Sequence, residues 1–251
     1  MITPDYLLTP VQLDFLWHDL GLGRLPYPLD VPSVGGTEEE RTRRRHDVLD
    51  GLQHNGELHD LLRLLAEHEV SVDAVASIDR PVRAIAASDG SRAVLAVIDS
   101  DQVGLLEIRP TALARSIVEV LPSGTAGQGN ALSMRLDSLR QAVDLHEDPP
   151  ESDDPWGDDD LDERQALQRV GLSAKDAAQI SELAANRVAG GQFGVTRGTS
   201  QFTSDRAGVT INWFDTPQGR YLMVHEDGWL SLSPTDNDRI ANRIDSLLAA
   251  G

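Results

Sequence analysis

The sequence predicts an α+β fold made of two similar halves. The main evidence is a pattern that occurs twice: four short β-type runs separated by turn residues, then an amphipathic helix that begins with Pro-Thr, at Pro110 and again at Pro234. Two such β-β-β-β-α units can share one hydrophobic core, whereas a single unit leaves a sheet face uncovered. Hydrophobic residues make up 40% of the 251 residues, which is enough for a core, and aromatic residues only 4%. We therefore expect one pseudo-twofold body packed mainly by Leu, Val, Ile and Ala.

Two helices are predicted ahead of the first repeat. Residues Thr9-Pro10-Val11-Gln12 have the pattern of a capping box with proline at the first helical position, and they predict a helix from about Pro10 to Leu20. Prolines at 26, 28 and 32 predict an irregular connection. Charged residues from Glu38 to Arg45 then lead into a second helix, which is predicted by the i, i+3, i+4, i+7 spacing of Leu58, Leu61, Leu62 and Leu65.

The first copy of the repeat predicts four strands between Val70 and Ile108. Its third run, RAVLAVID, is apolar on both faces, as expected of a central strand. A helix is predicted from Pro110 to about Val120. The following residues predict a loop over 122–130, a short edge strand in LSMRL, and a helix in DSLRQAVDLH.

An acidic segment separates the two halves. From Glu147 to Glu163 the chain reads EDPPESDDPWGDDDLDE, with ten acidic residues and no basic one. Such a block repels itself and cannot bury enough apolar surface to fold. We therefore expect an N-terminal half (residues 1–146), a disordered acidic linker (147–163) and a C-terminal half (164–251).

The second copy follows two predicted helices, in DERQALQRVG and SAKDAAQISELAANR; the latter begins with a capping box at Ser173. Its strands are QFGVTRGT, GVTINWFD, RYLMVHE and WLSLS. Alternating residues in the middle two strands predict that one sheet face is solvated or available to a partner. The terminal helix is predicted by a stripe of Ile240, Ile244, Leu247 and Leu248.

The charge of the chain restricts its partners. A formal net charge of −19 argues against nucleic acid and anionic membrane surfaces, because binding either requires clustered Lys and Arg. The chain has no cysteine, which excludes disulfides and thiolate chemistry. The first residues lack a basic leader, and no segment approaches the roughly 20 apolar residues of a membrane helix. We expect a cytoplasmic protein, with other proteins as its partners or with no partner.

No motif indicates catalysis or cofactor binding. His54, His59 and His68 do not have the spacing of a metal site, and the acidic run lacks the ligand pattern of a calcium loop. The loop GTAGQG (Gly124–Gly129) lacks the Gly-Lys-Ser/Thr ending of a phosphate loop, so we expect a flexible connector. The sequence has no Gly-x-Ser-x-Gly motif. We expect no enzymatic activity, cofactor or metal.

Three segments resemble the EspG proteins that accompany the ESX (type VII) secretion systems of actinobacteria. They are residues 8–41 (LTPVQLDFLWHDLGLGRLPYPLDVPSVGGTEEER), 190–197 (GGQFGVTR) and 213–248 (WFDTPQGRYLMVHEDGWLSLSPTDNDRIANRIDSLL). This resemblance implies a cytosolic chaperone with an antiparallel central sheet and flanking helices. It also implies that the protein binds the helical tip of a PPE protein in a PE–PPE heterodimer, keeps that tip soluble, guides it to the secretion system and carries out no chemistry.

An interface of this kind has a small apolar centre within a polar rim. Aromatic and methionine side chains of the second sheet are the candidates for this centre, and core packing is the alternative for each. The candidates are Phe193, Trp213, Tyr221, Met223 and Trp229. Two other functions stay open: an acidic immunity or regulatory protein that blocks a basic partner, and a hydrolase whose carboxylates and histidine meet in a buried pocket.

Overall fold

The computed structural model describes residues 3–33, 35, 37–49, 52, 55–147, 162–198, 205–206 and 208–250. In this part of the chain the strands are β1 (Tyr6–Leu8), β2 (Val70–Ser77), β3 (Pro81–Ser88), β4 (Ala93–Asp99), β5 (Gln102–Ile108), β6 (Leu132–Arg135), β7 (Ala189–Arg197), β8 (Asp205–Arg206), β9 (Thr210–Thr216), β10 (Gly219–Glu226) and β11 (Trp229–Pro234). The helices are α1 (Pro10–Asp19), α2 (Glu38–Val48), α3 (Gly56–Glu67), α4 (Leu113–Val118), α5 (Leu136–Glu147), α6 (Glu163–Arg169), α7 (Ala174–Ala185) and α8 (Asn237–Ala249). Most of the predicted acidic linker lies outside the described residues.

The chain divides into two compact units. Unit 1 consists of residues 1–123, 191–207 and 237–251, and unit 2 consists of residues 124–190 and 208–236. The chain therefore passes from unit 1 to unit 2 and back twice. Each unit is described by itself below.

In unit 1 the strand order is β1-β5-β4-β3-β2-β7, with β8 paired to β7. The pairs β2–β3, β3–β4, β4–β5 and β1–β5 are antiparallel. The predicted leucine stripe of α3 is fully buried and shares one core with α1 and with Ile85, Ala96 and Leu105 of the sheet. Helix α4 packs on β2, β3 and β4 and also on α8.

The predicted capping box at the start of α1 is confirmed. The backbone N–H of Gln12 donates to the Thr9 hydroxyl, and the Thr9 N–H donates to the Gln12 side chain at 2.8 Å. The charged residues after Thr37 do not run into the leucine helix as expected. They form the separate helix α2, and α3 has its own N-cap, because the Asn55 side chain accepts from the N–H of Leu58 at 3.1 Å.

In unit 2 the strand order is β9-β10-β11-β6, and each neighbouring pair is antiparallel. The predicted edge strand in LSMRL is β6. Helix α6 packs on α5 and α7 around a small core of Ala142, Ala166, Leu167 and Ala177. The predicted cap of α7 is also present, since the Ser173 hydroxyl accepts from the N–H of Asp176 at 3.1 Å.

The predicted α+β fold is confirmed, with strands paired antiparallel and flanked by helices. Both copies of the repeat are present: β2 to β5 followed by α4, and β7, β9, β10 and β11 followed by α8. A short 3₁₀ turn at Pro110–Ala112 precedes α4. Strands β1 and β8 were not predicted. None of the described helices is long and apolar enough to cross a membrane.

Candidate partner-binding face

The five candidate residues lie in both units. Phe193 belongs to β7 in unit 1 and is buried. The other four belong to the sheet of unit 2, where Trp213 and Tyr221 are buried, Met223 is half-buried and Trp229 is exposed. The strand register decides which of these four share a face, because residues directly opposite each other in an antiparallel pair point to the same side.

One face of the unit 2 sheet is covered by α7. Tyr221 lies opposite Phe214, and their rings stack with centroids 5.5 Å apart. Met223 lies opposite Leu232 and packs against the same cluster, which also contains Leu183 of α7. Tyr221 and Met223 therefore contribute to the core of unit 2.

The opposite face carries Trp213 and Trp229, because Leu222 lies opposite Trp213 and Glu226 lies opposite Trp229. The Arg220 guanidinium lies 4.5 Å above the Trp213 ring. It also donates two hydrogen bonds to Asp215, at 2.8 and 2.9 Å, and is fully buried. Trp213 is thus covered by a side chain of its own unit.

Trp229 is different, because 48% of its surface is exposed. The Arg135 guanidinium of β6 lies 5.9 Å from the Trp229 ring centroid. Beside this pair, the hydroxyls of Ser133 and Ser231 share a hydrogen bond of 3.2 Å. We call the row of Ser133, Arg135, Glu226, Trp229 and Ser231 the Trp229 strip.

The Trp229 strip has the chemistry of a binding surface. Its centre is one large exposed aromatic side chain, and its border offers two hydroxyls, one cation and the carboxylate of Glu226, which lies opposite Trp229. An apolar centre with a polar border is typical of protein–protein contacts, and Trp is frequent among the residues that dominate them. Sequence reasoning included Trp229 but missed Arg135, Ser133 and Ser231. The sequence LSMR could have indicated them, because the polar residues Ser133 and Arg135 alternate with the apolar residues Leu132 and Met134.

The histidines considered as metal ligands do not form a site in the described residues. His54 lies outside them, and nowhere in the described part do three or more His, Cys, Asp or Glu residues converge to hold a metal. His68 is buried at the end of α3, where its Nδ1 lies 2.9 Å from the Leu65 carbonyl oxygen. Burial disfavours the charged imidazolium and lowers the pKa of His68.

The glycine-rich loop was expected to be a flexible connector, and this expectation is wrong. Gly127 and Thr125 are hydrogen-bonded to the backbone of Arg220 in β10. The loop is therefore a fixed part of unit 2, held by backbone pairing that composition alone does not predict.

The structure thus combines antiparallel strands, flanking helices and one exposed aromatic strip on unit 2. The EspG family model matches residues 9–246, so the chain belongs to the EspG family. The fold is also similar to that of the Mycobacterium tuberculosis type VII secretion system chaperone EspG5, whose structure was determined in complex with a PE25–PPE41 dimer. The TM-score is 0.72 at 13% sequence identity, over 97% of this chain and 95% of that chain. Comparison with curated proteins gives no match.

Proposed function

We propose that this protein is a cytoplasmic chaperone for a type VII secretion substrate. It binds the helical tip of a PPE-like protein in a PE–PPE-like heterodimer, keeps that tip soluble and guides it to the secretion system. The observation that carries this proposal is the similarity over nearly the whole chain to EspG5, a chaperone bound to a PE25–PPE41 dimer. Membership of the EspG family supports the same function.

The Trp229 strip is our candidate for the contact surface. An exposed indole is desolvated when an apolar helical tip covers it, and this burial stabilises the complex. The Ser133 and Ser231 hydroxyls can hydrogen-bond to polar groups at the border of the tip. Binding of this kind protects apolar surface on the partner and requires no catalytic group.

The remaining candidates have packing roles within their own units. Trp213 and Tyr221 support the strands that carry the strip, and their removal would disturb the fold before it disturbed the contact. Phe193 is buried in unit 1 and has a comparable packing role. Met223 is half-buried on the helix-covered face, so it supports the strip from beneath.

Co-purification with a PE–PPE heterodimer from the same genome tests the proposal. Trp229→Ala should weaken capture of the heterodimer by about tenfold or more, because loss of a central aromatic contact typically costs about 2 kcal/mol. Leu7→Ala is the matched control, since Leu7 is 56% exposed on β1 of unit 1. Circular dichroism should show both variants folded. The proposal fails if no PE–PPE heterodimer from the genome binds the wild-type protein.

The experiment also tests the choice of contact surface separately from the chaperone function. If the wild-type protein captures the heterodimer and folded Trp229→Ala captures it equally well, the chaperone function stands and the contact surface lies elsewhere.

A further inference from the structure

We propose that residues Gly124–Gln128 form a clasp that closes one end of the unit 2 sheet and locks Arg220 and Tyr221 of β10 in place. The clasp is a conformational device of the fold, independent of the proposed chaperone function. It requires glycine at positions 124 and 127, because the backbone at each position lies against a side chain that cannot move away.

The backbone of the clasp extends the sheet. The N–H of Arg220 donates to the Thr125 carbonyl oxygen at 2.8 Å, and the N–H of Gly127 donates to the Arg220 carbonyl oxygen at 3.0 Å. Ala126 thereby forms a parallel bridge to Arg220. The register of β11 with β10 ends at Pro234, opposite Tyr221, and the N–H of Thr235 also donates to the Arg220 carbonyl oxygen at 3.0 Å. The Arg220 carbonyl oxygen therefore accepts from both Gly127 of the clasp and Thr235, whereas the Arg220 N–H donates to the clasp.

On one face the clasp packs against Arg220. A Cβ atom added at Gly124 would lie 2.5 Å from Cζ of Arg220. Arg220 cannot yield easily, because its guanidinium is fixed by two hydrogen bonds to Asp215 and lies over the Trp213 ring. A side chain at position 124 would have to break this arrangement.

On the other face the clasp packs against Tyr221. A Cβ atom added at Gly127 would overlap the Tyr221 ring at Cζ and Cε2. The ring is held from two sides: it stacks on Phe214, and its hydroxyl donates to the Gln128 carbonyl oxygen at 2.9 Å. Successive residues of β10 point to opposite faces, so the clasp secures both faces of one strand at the same end.

Closing this end has a consequence for the surface. Arg220 and Tyr221 are buried, whereas Trp229, at the far end of the β10–β11 hairpin, is exposed. The clasp thus keeps Arg220 and Tyr221 inaccessible to a partner, whereas Trp229 at the other end of the sheet stays accessible.

Alanine substitutions test the clasp through thermal stability. Gly127→Ala should lower Tm by about 5 °C or more, because overpacking against a fixed ring is destabilising. Gly208→Ala is the matched control in the same unit, since a Cβ at position 208 would meet nothing within 4 Å. It should leave Tm within about 1 °C. Equal Tm values for the two variants would overturn the proposal.

A double-mutant cycle separates the ring contact from a general effect on the backbone. The loss of Tm caused by Gly127→Ala should shrink to less than half when Tyr221 is also replaced by alanine, because the overlapping ring is then absent. An undiminished loss in the Tyr221→Ala background would contradict the packing argument.

Amide hydrogen exchange of the wild-type protein tests the clasp even if the Gly127→Ala variant does not fold. The amides of Gly127 and Arg220 should exchange as slowly as those in the middle of β10. Exchange of the Gly127 amide at the rate of an unprotected loop would overturn the proposal whatever the variants do.

Discussion

At the scale of single residues, His68 links the stability of the fold to pH. Its side chain is 1% exposed, and burial lowers its pKa below the ordinary value. The folded protein therefore holds His68 neutral at a pH where the unfolded chain already binds a proton. Protonation favours the unfolded state, so stability is complete above the ordinary histidine pKa and falls as the pH decreases through it.

The pH dependence can be measured by urea unfolding between pH 7.5 and 5. The free energy of unfolding of the wild-type protein should decrease below about pH 6.5, with a contribution from His68 of at most about 1.4 kcal/mol per pH unit. His68→Gln should be less stable at pH 7.5 but should have a flatter slope below pH 6.5. His18→Gln, at an exposed position of α1, is the control for replacing an imidazole by an amide. A wild-type slope in His68→Gln would assign the pH dependence to other groups.

Arg220 shows why the burial and pairing of a single residue are hard to predict from sequence. In the sequence it is one arginine in a β-type run, and arginine is rarely fully buried unless it is paired. The structure supplies the partner, because Asp215 lies opposite Arg220 on β9 and accepts both hydrogen bonds. The pairing depends on strand register, which a local pattern does not fix.

At the scale of elements, the features predicted correctly are those encoded locally. The capping box at Thr9 and the leucine stripe of α3 each lie within a dozen residues, and each is present in the structure. Strand β1 was missed because it gains its backbone partners from β5, where Leu7 lies opposite Gly104. Helix α2 was missed as a separate element because its run of charged residues has no apolar stripe.

The candidate surface was predicted only in part for a similar reason. Alternation along β10 separates Tyr221 and Met223 from Leu222 and Val224, but it does not show which set is covered. The covering residue Leu183 belongs to α7, far away in the sequence. A prediction by residue type therefore included aromatic side chains from both faces. Only the packing of α7 shows that Tyr221 is buried and Trp229 is exposed.

The last turn of α8 is held by a side chain from another element. The Arg197 guanidinium of β7 donates to the carbonyl oxygens of Leu247 and Leu248, at 2.7 and 2.8 Å. These carbonyl groups belong to the helix end, where no later N–H can pair with them, and a cation there also interacts favourably with the helix dipole.

Replacing Arg197 should therefore destabilise unit 1. Arg197→Ala should lower the free energy of unfolding by about 1.5 kcal/mol, as expected for hydrogen bonds from a charged donor. Arg115→Ala is the control, because Arg115 is 76% exposed and its pair with Glu119 is a surface ion pair that contributes little. Urea denaturation measures the loss in free energy of unfolding for each variant. Equal losses would mean that the contacts of Arg197 add nothing beyond those of an ordinary surface arginine.

At the scale of the whole molecule, the chain does not divide at a single point. Unit 1 takes segments from the beginning, the middle and the end of the sequence, and unit 2 takes the two segments between them. A cut at any one position therefore leaves at least one unit incomplete. The N-terminal half, acidic linker and C-terminal half that the repeat suggested remain a prediction from the sequence.

A fragment of residues 164–251 should not fold by itself. It lacks β6 and α5 of unit 2, and it carries β7 and α8 without the strands β2 to β5 that belong to unit 1. We expect an insoluble or molten fragment with no cooperative urea transition. A well-dispersed amide spectrum from this fragment would show that its residues form an independent domain.

The placement of α8 also affects how the protein is made. Because α8 packs on α4 within unit 1, this unit is completed only after the ribosome has synthesised residues 237–249, well over 100 residues after α4. Until then the surface of α4 that packs on α8 in the finished protein stays uncovered. A polypeptide released before residue 237 would keep that apolar surface uncovered and become a target for cellular proteases. Translation must therefore reach α8 before unit 1 can complete its core.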